Sequence, residues 1–161
     1  MIRKVTTLDF DFIYGLYMHP QVNPFLLYEM MDAAEFKPIF DELLSKQVLY
    51  IFEDNYIAVG MFKLVPLAYR NAHIAYLGGL AIHPSFSGKG HGLTMLNEIT
   101  AYGKQQGFLR IELSVADINE KAIRLYEKAG FVKEGIFRKY TYLKSENRFL
   151  DEVMMAWLSE S

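Results

Sequence analysis

Ile82-His83-Pro84-Ser85-Phe86-Ser87-Gly88-Lys89-Gly90-His91-Gly92 is the stretch whose reading decides the rest of the chain. An apolar run from Ile74 to Ile82 stops at Pro84, and an amphipathic segment with Leu93, Leu96 and Ile99 on one side begins just after Gly92. Gly88, Gly90 and Gly92 therefore stand at a strand-to-helix junction. Glycines there let the backbone come close to a ligand, and the unpaired N–H groups of a helix start, at the positive end of its dipole, favour an anion such as a phosphate. Lys89 adds a mobile positive charge. The competing reading is a tight loop that holds nothing.

Two phosphate motifs can be tried against this turn. A nucleotide P-loop needs Gly, four residues, then Gly-Lys-Ser/Thr, and no such string occurs. The dinucleotide fingerprint G-x-G-x-x-G fails because Leu93 and Met95 stand where the third glycine belongs. Glu112 lies at a suitable distance for the ribose acid of that motif, but the missing glycine and the hairpin-like strands upstream argue against it.

Upstream, Ile2 to Val5 reads as a strand, and Phe10, Ile13, Tyr14 and Tyr17 recur as one face of a helix that ends before Pro20. An aromatic loop, Gln21 to Met31, follows; its Phe25, Leu27, Tyr28 and Glu29 are candidates to line a substrate pocket, with simple coverage of the core as the alternative. Pro38 would break a helix begun at Asp32, so the second helix is placed from about Pro38, with Ile39, Phe40, Leu43 and Leu44 inward. Val48 to Phe52 and Tyr56 to Val65 read as a hairpin across Glu53-Asp54-Asn55, and a turn around Tyr69 to Ala72 leads into His73 to Ile82. Downstream, a helix from Gly90 to Gln106 stops at Gly107, and Leu109, Ile111, Leu113 and Val115 alternate with polar residues in a strand. The intervening helix makes that strand parallel to His73–Ile82, through a right-handed crossover. Asn119 is placed as the N-cap of Glu120 to Ala129, with Ala122, Leu125, Tyr126 and Ala129 inward and Gly130 as C-cap. Phe131 to Leu143 and Phe149 to Leu158 fold back as a hairpin, whose exposed aromatic strands permit a homodimer.

Composition narrows the classes. The 161 residues are 52% apolar and carry a net charge of −2, which fits one domain spanning 1–161 with a real core and no broad cationic field for nucleic acid or an anionic membrane. No apolar run approaches the roughly 20 residues of a membrane span, and the start lacks an apolar signal core, so the chain is read as soluble and cytoplasmic. The absence of cysteine excludes disulfides, thiolate metal sites and a covalent Cys intermediate. His19, His73, His83 and His91 show no His-x-x-x-His pairing, and no metal site is expected.

The most specific string is Asn119-Glu120-Lys121-Ala122-Ile123-Arg124-Leu125-Tyr126-Glu127-Lys128-Ala129-Gly130-Phe131. With the glycine turn it resembles the GNAT superfamily of acetyl-CoA-dependent N-acetyltransferases, whose pattern Asn-x-x-Ala-x-x-Leu-Tyr-x-x-x-Gly-Phe is matched at every fixed position. The resemblance implies a mixed α/β fold, a twisted sheet of about seven strands flanked by about four helices. The family's pyrophosphate turn, Arg or Gln, two residues, then Gly-x-Gly or Ala, is matched at Gly90 and Gly92 but has Ser87 in its first position. Backbone amides of the turn, including those of Gly88 and His91, together with Lys89, are then expected to carry more of the binding. The chain is similar to bacterial amino-acid N-acetyltransferases in His19-Pro20-Gln21-Val22 and in Gly135-Ile136-Phe137-Arg138-Lys139-Tyr140. Ribosomal-protein N-terminal acetyltransferases share some of these features.

The resemblance implies that the strand Leu77 to Ile82 splays from its parallel neighbour near Ser114 to Ala116. Backbone N–H groups at Leu80, Ala81 and Ile82 would hold pantetheine and polarise the thioester. Gly78-Gly79 suits a bulge there, with plain flexibility as the alternative. Tyr126 is the candidate general acid: a phenol near pKa 10 serves a thiolate whose acid is near 8.5 only with its hydroxyl at the sulfur. A core tyrosine is the competing role. Asn119 would contact the cofactor as well as cap its helix. No carboxylate precedes the glycine turn, which leaves His73, Tyr76 and Glu29 as candidates to relay the acceptor's proton. An α-amine near pKa 8 needs less help than a lysine amine, so the missing base favours a small amine such as an amino acid, attacked directly in a ternary complex. The alternatives are a protein or peptide N-terminal acetyltransferase and an acyl-CoA-binding module without catalysis.

Overall fold

Period-two alternation makes the strands and 3.6-residue stripes make the helices in the computed structural model, which describes residues 1–160. In chain order they are β1 (Ile2–Lys4), α1 (Phe10–Tyr17), α2 (Ala33–Ser45), β2 (Leu49–Asp54), β3 (Ile57–Pro66), β4 (Ile74–Ile82), α3 (His91–Gln105), β5 (Arg110–Ala116), α4 (Glu120–Lys128), β6 (Val132–Leu143) and β7 (Arg148–Leu158). The seven strands form one sheet in the order β1-β2-β3-β4-β5-β7-β6. β4 and β5 pair in parallel across the α3 crossover, and the other neighbours are antiparallel. This is the mixed α/β architecture that the sequence resemblance implies.

Helices cover the sheet on both sides. Met95, Leu96 and Ile99 of α3 and Ile123 of α4 bury against Phe62, Leu77, Leu113 and Val153 on one face. Ile13, Leu16 and Tyr17 of α1 and Phe36, Phe40 and Leu43 of α2 bury against Leu49, Ile51, Met61 and Ala81 on the other. That second cluster draws on β2, β3 and β4, so the α1–α2 face of β5 and β7 has no helix over it. β6, the outer strand, is exposed along most of its length, Phe137 and Tyr140 included.

The second helix starts earlier than its proline implies. Asp32 accepts a hydrogen bond from the Glu35 N–H while the Glu35 carboxylate accepts one from the Asp32 N–H, a reciprocal cap that begins α2 at Ala33. Pro38 stands inside the helix on its exposed side, where it forgoes one backbone hydrogen bond. The capping pair and the burial of Phe36 outweigh that loss. The β2–β3 turn is also tighter than expected: Asn55 and Tyr56 both take positive φ, 50° and 64°, as a two-residue hairpin turn requires.

Candidate active site

Two departures from regular sheet geometry open a cleft at the centre of the molecule. The parallel pairing of β4 with β5 is limited to Ile74–Tyr76 against Arg110–Glu112, so the edge of β4 beyond Tyr76 has no partner on that side. The register of β4 against β3 shifts between Met61 and Lys63, where Gly79 takes φ +54°. This is the bulge that Gly78-Gly79 suits. The opening between β4 and β5 is a cavity of about 780 Å³. A smaller one of about 320 Å³, by Lys46, Tyr50 and Tyr102, borders neither motif.

The glycine turn ends at one mouth of the cleft, which Gly92 borders. Gly88 and Gly90 have φ of +75° and +83°, and Gly90 is the N-cap of α3. The Ser87 N–H bonds to Pro84, and the next backbone donor with a partner is Thr94, bonded to Gly90. The N–H groups from Gly88 through Leu93 thus have no acceptor among the described residues, as expected of a loop that runs into the first turn of a helix. A cradle of unpaired donors at the positive end of a 15-residue helix fits a diphosphate. Lys89 is exposed beside it, whereas the Ser87 hydroxyl is turned back onto the Pro84 carbonyl at 2.8 Å. The His91 imidazole is engaged elsewhere, with Nδ1 3.1 Å from the Phe86 carbonyl oxygen and Nε2 3.1 Å from Asp54 Oδ2. What it has left for a ligand is its backbone N–H, which has no acceptor among the described residues.

Leu80, Ala81, Ile82, Asn119 and Tyr126 all border the cleft. Asn119 accepts from the Ala122 N–H at 3.3 Å, so it caps α4 and lines the cleft at once. The Tyr126 hydroxyl has no hydrogen-bond partner among the described residues. Burial, with Tyr76 nearby adding to it, pushes this phenol far above its ordinary range, so the proton stays on at any physiological pH.

The acceptor candidates separate. Phe25, Leu27 and Tyr76 line the cleft, the first two as exposed apolar side chains at its lip. Tyr28 does not; it packs on Tyr17 and Phe36. Glu29 is exposed outside the cleft. His73 stands before β4, at the opposite end of that strand from Ile82, where its carbonyl accepts from Leu109 and Arg110. Neither His73 nor Glu29 is in place to relay a proton from an amine in the cleft.

The sequence reading missed a carboxylate that does border the cleft. Glu152 of β7 lines the cleft and accepts a hydrogen bond from the Thr141 hydroxyl. A register shift of β6 against β7 between Phe137 and Thr141, with Lys139 at φ +50° and its N–H on Asp151 Oδ1 at 2.8 Å, turns Tyr140 and Thr141 toward the cleft. The signal for Glu152 is the acidic pair Asp151-Glu152, which interrupts the apolar run from Phe149 to Leu158, but most of the residues it shares the cleft with are distant in sequence.

A mixed sheet split at its parallel pair, with a donor cradle at the following helix, defines an acyltransferase-type site. The model of the acetyltransferase (GNAT) family matches residues 10–131, and the chain belongs to that family. It is an N-acetyltransferase whose acetyl donor is acetyl-CoA. Spermidine N(1)-acetyltransferase of Vibrio cholerae is 27% identical over 141 residues, 83% of this chain and 79% of that protein. A crystal structure of spermidine N-acetyltransferase from Vibrio cholerae in complex with CoA and spermine superposes with a TM-score of 0.86 at 24% identity, covering 98% of this chain and 94% of that one. Ribosomal-protein-alanine N-acetyltransferase from Brucella melitensis superposes with a TM-score of 0.81 at 18% identity over 99% of both chains. These two superpositions show the shared fold.

Proposed function

We propose that the enzyme acetylates the primary amine of a small molecule, such as an amino acid, by direct attack in a ternary complex. The observation that carries this reading is the convergence of unpaired N–H donors, a protonated phenol and one carboxylate on a single cleft. Acetyl-CoA supplies an acetyl group already activated as a thioester. The amides of Gly88 to Leu93, with Lys89, are assigned to its diphosphate, and the unpaired edge of β4 from Leu80 to Ile82 to its pantetheine arm. Donors fixed at that edge also lie where a carbonyl oxygen would gain charge.

Tyr126 and Glu152 divide the proton traffic. The Tyr126 hydroxyl keeps its proton until a thiolate leaves beside it, and its missing partner leaves the donor free for that role. Glu152, oriented by Thr141, holds the incoming ammonium and takes its proton directly or through a water. Without cysteine the chain has no thiol to carry the acetyl group, which fits direct transfer.

Release of free thiol from acetyl-CoA, measured across amino acids, short peptides and polyamines, tests the reading. Turnover on small amines is expected, and Tyr126→Phe should lower kcat roughly a hundredfold with acetyl-CoA affinity kept within about twofold. Binding of acetyl-CoA without thiol release on any amine would instead make the protein a binding module.

A further inference from the structure

The charges around the cleft are lopsided. One carboxylate, Glu152, lines it, against four cations: Lys63, Lys121, Arg124 and Lys128. Strand alternation assigns the cations to two sides. Lys121, Arg124 and Lys128 belong to α4, on the same face of the sheet as α3 and its diphosphate cradle. Lys63 lies on the other face, because Phe62 and Leu64 to either side of it point into the α3–α4 core. By the same rule Tyr76, Ser114 and Glu152 share the face of Lys63, since Leu77, Leu113 and Val153 face α3 and α4. This is the face with no helix over β5 and β7, where an acceptor would enter.

Lys63 is half-buried and makes no hydrogen bond or ion pair among the described residues. Its side chain runs along the floor of the cleft: Cε is 3.5 Å from where a Cβ on Gly78 would sit, and Tyr76 Cε1 is 2.9 Å from the same point. The charged group that acts on it is another cation, Lys46, itself paired with Glu42 at 2.9 Å. Burial and Lys46 both lower its pKa, the expected result for an ammonium that lacks a counter-ion. A half-buried cation without an anion, opening onto an acceptor cleft, is complementary to an anion on the acceptor.

Building on the proposed amine acetylation, we infer that Lys63 binds a carboxylate of the acceptor, so that the substrate is an amine that also carries an acid group. Glu152 takes the ammonium end and Lys63 the carboxylate end, across Tyr76. A polyamine fits poorly, since each further ammonium needs an anion and this cleft has only Glu152 among the described residues. Gly78 has no side chain, and that lets the Tyr76 ring and the Lys63 chain lie close against the β4 backbone between the two charges.

The test compares thiol release from acetyl-CoA with the twenty L-amino acids, their C-terminal amides, ω-amino acids of increasing length, and spermidine. The wild-type enzyme should use at least one acid with a KM roughly ten- to a hundredfold below that of its amide. Lys63→Gln should remove that difference by raising KM for the acid alone, with kcat and the KM for acetyl-CoA little changed, and Lys63→Arg should restore most of it. Equal use of acid and amide, or preference for spermidine, would overturn the carboxylate assignment and leave amine acetylation standing. No thiol release with any amine would overturn both. The acid-to-amide comparison on the unaltered enzyme holds even where a Lys63 variant folds poorly.

Discussion

A phenol can serve as the acid in this cleft only if it is still protonated when the thiolate leaves, and the setting of Tyr126 meets that condition. Its pKa is raised by burial and by Tyr76, so its protonated fraction stays near one as pH rises through the range in which amines lose their protons. The rate should therefore climb with the neutral fraction of the acceptor amine, and kcat/KM should show no descending limb up to about pH 10, the ordinary value of a tyrosine. A fall with an apparent pKa near 8, abolished by Tyr126→Phe, would mean that the phenol ionises early and is not held protonated by its surroundings. Tyr126 and Asn119 were singled out by the resemblance of one continuous string to the family pattern, and both border the cleft. Glu152 and Lys63 were not, because each belongs to a polar break in an apolar strand, with no motif around it to say what it faces. Their meaning comes from strands β3 and β7, far apart in the chain, facing one gap.

Among the elements, β4 carries the most constraint. Its bulge puts Gly79 at φ +54°, and a Cβ there would lie 2.6 Å from the hydroxyl of Tyr17, a buried side chain of α1 whose Oη has no partner among the described residues. Gly79→Ala should destabilise the fold by about 1–3 kcal/mol, read from urea unfolding, and should impair turnover through the displaced β4 edge. Gly15→Ala is the matched control. Gly15 lies within α1 with nothing near its added methyl, so that change should leave stability equal or raise it by up to about 1 kcal/mol. Equal effects of the two substitutions would show that the bulge is not held by Tyr17. The sequence pointed to this bulge through its glycine pair, yet misplaced the start of α2. Pro38 is a strong local signal for a break, while the Asp32–Glu35 cap and the buried Phe36 act together only once the α2 face meets α1 and the sheet.

At the scale of the molecule, the order β4-β5-β7-β6 inserts the last strand between two earlier ones, and that insertion brings Glu152 opposite Ala116 at the open end of β5. The split of the parallel pair then joins the two faces: a donor cradle and three α4 cations on one side, Glu152 and Lys63 on the other. A chain with a net charge of −2 thus has a predominantly basic cleft. The central claim is that the backbone from Gly88 to Leu93 grips the diphosphate while the thioester reaches Tyr126 through the gap between β4 and β5. A crystal structure of the protein with coenzyme A bound tests it most directly. Diphosphate oxygens are expected within hydrogen-bond distance of those amides, with the sulfur beside the Tyr126 hydroxyl; a coenzyme lying outside the β4–β5 gap, with that turn empty, would show that neither motif holds it.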